Sequence, residues 1–194
     1  HLSFADTTPS HAWTLNTGTA GPLTLNVASG NPTITVQNPS VTIAAVLAGT
    51  KGLNKLGSGT LLLDQTANTF SGNLTVSAGT LQTTTAQSAG TNSPLGVVSG
   101  SRGVTVNSGA TLQFLGNNVF GGTGKSPATV PSMAVNGTLT SNRYNILGSL
   151  TLNGATLTQN TTDTGNYEGY QFLGTVTVGG SAASTISSGN GRAN

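Results

Sequence analysis

Four carboxylates are all the acid this 194-residue chain has: Asp6, Asp64, Asp163 and Glu168. One stretch gathers acids with aromatics, placing Asp163 and Glu168 beside Tyr167, Tyr170 and Phe172. Two ligand chemistries fit such a stretch: an aromatic contact with a surface glycan, or a weak calcium loop. Calcium takes about six to eight oxygen ligands, and two carboxylates in one loop supply few of them. The plainer alternative is a loop that folds over the body of the protein and buries its rings. Polysaccharide lyases and hydrolases of β-helical build need more, several Asp for calcium or a close carboxylate pair. That shortage leaves polysaccharide chemistry a weak alternative, and no catalytic residue is assigned.

Other chemistries fail on their own requirements. His1 and His11 lie near Asp6 and serines abound, so a Ser–His–Asp relay can be drawn, but no serine sits in a nucleophile-elbow frame. Gly121-Gly-Thr-Gly-Lys-Ser126 invites a phosphate-loop reading; the first required glycine would be at 119, which is Val119. Pro127 and Pro131 follow, where a helix N-terminus would have to hold the phosphate. The chain has no cysteine, which excludes a thiolate metal site and a disulfide framework. No metal and no cofactor is expected. Lys51, Lys55, Arg102, Lys125, Arg143 and Arg192 are scattered, and the formal net charge is +2. Nucleic acid, which needs clustered cations, is therefore not an expected partner. No apolar run approaches the ~20 residues of a membrane helix, so membrane insertion of this segment is not expected, and no signal-peptide pattern is visible.

The elements that carry these residues are strands. Charged residues make up 5% of the chain, against roughly 25% in ordinary soluble domains, and no 3.6-residue apolar period stands out. Leu23-Thr-Leu-Asn-Val27, Thr33-Ile-Thr-Val36, Leu74-Thr-Val76 and Val104-Thr-Val106 alternate aliphatic with Thr or Asn. Leu150-Thr-Leu152 and Val176-Thr-Val178 do the same. A period of two puts aliphatics on one face and hydroxyls on the other. The 28 glycines, with Asn, Ser and Pro, punctuate between them. The fold class is all-β.

A recurring phrase separates a solenoid from a sandwich. It reads aliphatic-Thr-aliphatic, small polar residues, Gly, then Thr and Leu, as in Leu74-Thr-Val-Ser-Ala-Gly-Thr-Leu81 and Val104-Thr-Val-Asn-Ser-Gly-Ala-Thr-Leu112. Altered copies begin at Ala134, Leu150 and Val176. Their central aliphatics, Val76, Val106, Val135, Leu152 and Val178, are 30, 29, 17 and 26 residues apart. Repeats that stack coil on coil bury their aliphatics only against the neighbouring coil. The glycine of the phrase marks the corner, a place for φ > 0. The uneven spacing predicts loops leaving the rod, at 86–103, 116–132 and 159–171. Trp13 is expected to cap the first coil.

Residues 52–83 carry a longer signal. They read Gly52-Leu-Asn-Lys-Leu-Gly-Ser-Gly-Thr-Leu-Leu-Leu63, then Asn68-Thr-Phe-Ser-Gly-Asn-Leu-Thr-Val-Ser-Ala-Gly-Thr-Leu-Gln82. This closely resembles the passenger-associated transport repeat, also called the autotransporter-associated β-strand repeat. Lys55, Gly57, Gly59, Thr60 and Leu61 match its first part; Asn68, Phe70, Gly72, Val76, Gly79, Thr80 and Leu81 match its second. The resemblance implies a right-handed parallel β-helix, a place outside or on the surface of a Gram-negative-type cell, and structural roles for Lys55, Gly57, Gly59, Asn68, Phe70, Gly72 and Gly79. The chain is thus expected to be one β-helix segment, 1–194, with the repeat inside it and roughly seven to nine coils. Its expected work is structural, as a passenger segment, stalk or fibre subunit stacking end to end with identical subunits, and not enzymatic. An adhesin module holding surface glycans through Asp163, Tyr167, Glu168 and Tyr170 is the alternative.

Overall fold

Alternating aliphatic and hydroxyl side chains leave each strand with one face to bury, and here every strand buries it against its counterpart in the next coil. The computed structural model describes residues 1–6, 8–18, 21–84, 91–121, 124–160 and 169–188. Two eight-stranded sheets run the length of the rod. The first takes Leu2–Phe4, Thr33–Val36, Leu53–Leu56, Leu74–Val76, Gly103–Val106, Ser132–Val135, Leu150–Asn153 and Val176–Gly179 in that order. The second takes Trp13–Leu15, Ser40–Ile43, Thr60–Leu63, Thr80–Thr83, Thr111–Phe114, Thr138–Ser141, Thr156–Gln159 and Thr185–Ser188. Within each sheet every pairing is parallel and joins a strand to the one a full coil away. This is a parallel β-helix, eight coils deep, with no helical residue among those described. At ~4.8 Å per coil it is about 35 Å long.

Register is set by the columns. Val76, Val106, Val135, Leu152 and Val178 are direct cross-strand partners despite their unequal spacing in sequence. Above them in the same column stand Leu2, Ile34 and Lys55. The second sheet stacks Trp13, Val41, Leu61, Leu81, Leu112, Leu139, Leu157 and Ile186 inward. Its outer face stacks Ser40 on Thr60, Thr80, Thr111, Thr138, Thr156 and Thr185. Beside them Gln82 donates to Gln113 at 2.7 Å. A slip of one residue would turn every aliphatic outward, so the alternation itself enforces the register.

A third, thinner side closes the coils. It pairs Leu23–Thr24 with Leu47–Ala48, and Asn145–Leu147 with Tyr170–Phe172. Between them Thr69 N–H donates to Leu47 O at 2.8 Å, and Val97 N–H to Phe70 O at 3.0 Å. This side corrects the expected loops. The described part of 86–103 holds a short antiparallel pair, Asn92–Ser93 with Gly96–Val97, around a fully buried Leu95. Within 116–132, Val119, Phe120 and Val130 are core, and Phe120 meets Phe114 edge-on at 5.7 Å. Of 159–171, Gln159 closes one strand and Tyr170 opens another. Each segment is drawn in because its few apolar side chains have a place in the core.

The phrase glycines turn corners as expected at Gly79, Gly109 and Gly154, whose φ values are +63°, +77° and +62°. Gly137 differs, since its φ is not positive; a Cβ there would lie 2.3 Å from Asn107 O. Crowding by the preceding coil explains that glycine.

Candidate functional site

The residues matched to the repeat converge on the corners of the third and fourth coils. Lys55 occupies an inward position between Ile34 and Val76 and is fully buried. Its stem fills the aliphatic column and its ammonium reaches the corner between the two sheets. There it donates to Gly57 O at 2.8 Å, Ala78 O at 2.9 Å and Leu56 O at 3.2 Å. Three donors thus meet three carbonyls, two from its own coil and one from the next. Burial pushes the ammonium down to about 8, because the charged form loses its water. The corner is packed tightly around it. A Cβ on Gly79 would lie 2.5 Å from Gly57 O and 2.8 Å from Lys55 Nζ, and one on Gly59 would lie 1.9 Å from Asn38 O. Gly57 also needs its φ of +81°.

The second half of the repeat fixes the third side. Asn68, fully buried, accepts from Leu47 N–H at 2.7 Å through Oδ1 and donates to Pro94 O at 2.8 Å through Nδ2. One amide therefore ties the coil above to the coil below. Phe70 is buried beneath Gly96, where a Cβ would lie 2.9 Å from two ring carbons. Gly72 lets the chain pass Gly52, whose nitrogen would be 2.3 Å from a Cβ at 72.

Sequence reasoning passed over one residue here. Arg102, counted only among scattered cations, is 3% exposed. Nε donates to Gly72 O at 2.7 Å, Nη2 to Leu95 O at 3.0 Å, and Nη1 to Val97 O. Its guanidinium carbon stands 5.3 Å from the centre of the Phe70 ring, a cation–π distance. Burial lowers its pKa to about 10, so it stays charged at neutral pH. The available signal was its place directly before the Gly103–Val106 strand, where the chain enters the coil. Asn145 was missed as well: it ties its coil to the preceding one alone, accepting from Val119 N–H at 2.8 Å and donating to Gly116 O at 3.1 Å.

The aromatic stretch divides. Asp163, Tyr167 and Glu168 lie outside the described residues. Tyr170 is half-buried, stacked on Phe172 at 6.2 Å, and its hydroxyl donates to Thr158 O at 3.0 Å. Burial raises its pKa well above the ordinary 10. Its ring packs on the core, so it serves first as a structural side chain.

At the first coil, Asp6 Oδ2 accepts from Asn38 Nδ2 at 2.5 Å and from Trp13 Nε1 at 3.4 Å. His11 Nδ1 lies 3.8 Å from that same oxygen, and Ser10 Oγ meets the same ring nitrogen at 3.1 Å. A relay needs serine and carboxylate on opposite nitrogens, so this cluster has no relay geometry. Trp13 stands over Val41 in the inward column, 48% exposed. Among the described residues no three His, Cys, Asp or Glu come together as metal ligands, and no helix is long and apolar enough to cross a membrane.

The family model described as passenger-associated-transport-repeat matches residues 53–82. Over 99 residues, 51% of this chain, the sequence is 40% identical to the adhesin BmaC autotransporter of Brucella suis biovar 1 (strain 1330). The chain spans 3% of the length of that relative. No solved structure matches. Lys55, Asn68 and the buried Phe70 all fall inside the matched residues, and the chain carries a passenger-associated transport repeat across its third and fourth coils.

Proposed function

We propose that this segment is a structural length of a surface-displayed passenger, a neutral rod that holds other parts away from the cell. One observation carries the proposal: the buried polar side chains in and beside the repeat, Lys55, Asn68 and Arg102, are spent on locking coil to coil. Lys55 and Arg102 spend their donors on main-chain carbonyls, and the second sheet offers Ser, Thr and Gln ladders outward with no charged residue in any of its own strands. Hydroxyl and amide ladders hold water without selecting a charged partner. The passenger repeat and the autotransporter relative support a place at the surface of a Gram-negative-type cell.

The test is display. Fused between a signal peptide and an outer-membrane barrel, the chain is expected to reach the surface and to resist external protease as one block. Retention inside the envelope, or rapid cutting within 33–159, contradicts the proposal.

A second reading, an adhesin module, is favoured by the likeness to an adhesin autotransporter. It predicts glycan-array binding by the isolated chain that is lost in Tyr167→Ala and Tyr170→Ala. An array without hits removes it.

A further inference from the structure

Arg102 lies outside the matched residues 53–82, yet its guanidinium is spent on them and on the coil that follows. Gly72 O and the Phe70 ring belong to the repeat; Leu95 O and Val97 O belong to the next turn of the third side. We propose that Arg102 completes the repeat, and that Lys55 and Arg102 together latch the third and fourth coils into one cooperative unit, the last part of the rod to open.

The argument is electrostatic and geometric. Each cation is buried and each is held by carbonyls from more than one coil. Lifting the fourth coil off the third removes Ala78 O from Lys55 and strips Arg102 of Gly72 O and the Phe70 ring. A cation left in the interior without its acceptors is far costlier than one exposed from the start. Partial opening is therefore penalised, and the two coils open together or not at all. Asn68 adds a third tie in the same place, from Leu47 to Pro94. Toward the far end the protection thins. Val178 and Ile186, inward by register, are 61% and 62% exposed. The latch depends on the local geometry of the repeat and not on surface display, so failure of the display experiment leaves it standing, and the converse holds.

Amide hydrogen exchange read by mass spectrometry on the 194-residue chain tests it. In the unaltered protein, Leu53–Leu56, Leu74–Val76 and the amides of 95–97 are expected to exchange slowest and at a common rate. Arg102→Met keeps an aliphatic stem and removes the fork. It should speed exchange at 70–76 and 95–98 by about tenfold or more while leaving Leu150–Asn153 unchanged. Arg102→Lys, with a point charge in place of a fork, should fail to restore protection. The proposal is overturned if the slowest amides of the unaltered chain lie in 132–159, if Arg102→Met speeds all segments equally or none, or if Arg102→Lys protects as well as arginine. Should Arg102→Met not fold, the order of exchange in the unaltered chain and the lysine variant still decide.

Discussion

Lys55 brings a charge into a column otherwise built of Leu, Ile and Val, and its cost and benefit are separable by pH. Its folded pKa, about 8, lies below the 10.5 of the free side chain. Between those values the unfolded chain holds more protons than the folded one, so stability rises with pH across that window. Below pH 8 the burial cost is present in full and does not change. Lys55→Met removes that slope and leaves the carbonyls of Leu56, Gly57 and Ala78 without their donor. At pH 7 it should be less stable by about 1–3 kcal/mol. Thermal unfolding of both proteins from pH 7 to 10 checks this; parallel curves would refute the assignment. Tyr170 titrates in the opposite sense. Its hydroxyl stays neutral in the fold while the unfolded phenol ionises near 10, so stability falls as pH rises above 10, and Tyr170→Phe should remove that fall. The motif marked Lys55 as special, but alternation could not say which way it points. In Leu53-Asn-Lys-Leu56 the inward pair is Leu53 and Lys55, with Leu56 on the outer face. A charge can face inward only where carbonyls converge, and convergence of two coils is invisible in either one alone.

At the scale of the element, corners decide as much as strands. Gly79 and Gly109 share a left-handed φ, +63° and +77°, but differ in surroundings. A Cβ at 79 meets Gly57 O, Gly59 O and Lys55 Nζ within 2.8 Å, whereas a Cβ at 109 meets nothing within 4 Å. Gly109→Ala should therefore cost about 1–2 kcal/mol of backbone strain alone. Gly79→Ala should cost clearly more and should also abolish the alkaline slope assigned to Lys55. Equal losses by chemical denaturation would mean that the corner is not packed as described. Strand types and register were legible in the sequence because period-two alternation and the recurring phrase encode them directly. The third side was not. Its segments, such as Leu47–Ala48 and Asn145–Leu147, are two or three residues long, too short for alternation to show. Leu95, Val119 and Phe120 consequently read as loop residues, although each is core. Leu112→Ala, in the middle of the second sheet's inward column, should cost about 2–5 kcal/mol.

For the whole molecule, stability comes from stacking: each coil is incomplete until its neighbours cover it. The outermost described coils show the same rule from the other side, since Trp13, Val176, Val178 and Ile186 are inward by register yet exposed. Order along the axis is thus the central claim, and spin labels on the outer column of the first sheet measure it directly. Thr33, Thr75 and Thr177 occupy that column in the second, fourth and eighth coils. At ~4.8 Å per coil, labelled pairs should give about 19 Å for 75 with 177 and about 29 Å for 33 with 177. The chain has no cysteine to remove before labelling. Distances growing in proportion to coil number are the predicted result. A 33-to-177 distance equal to or shorter than the 75-to-177 distance would contradict the rod.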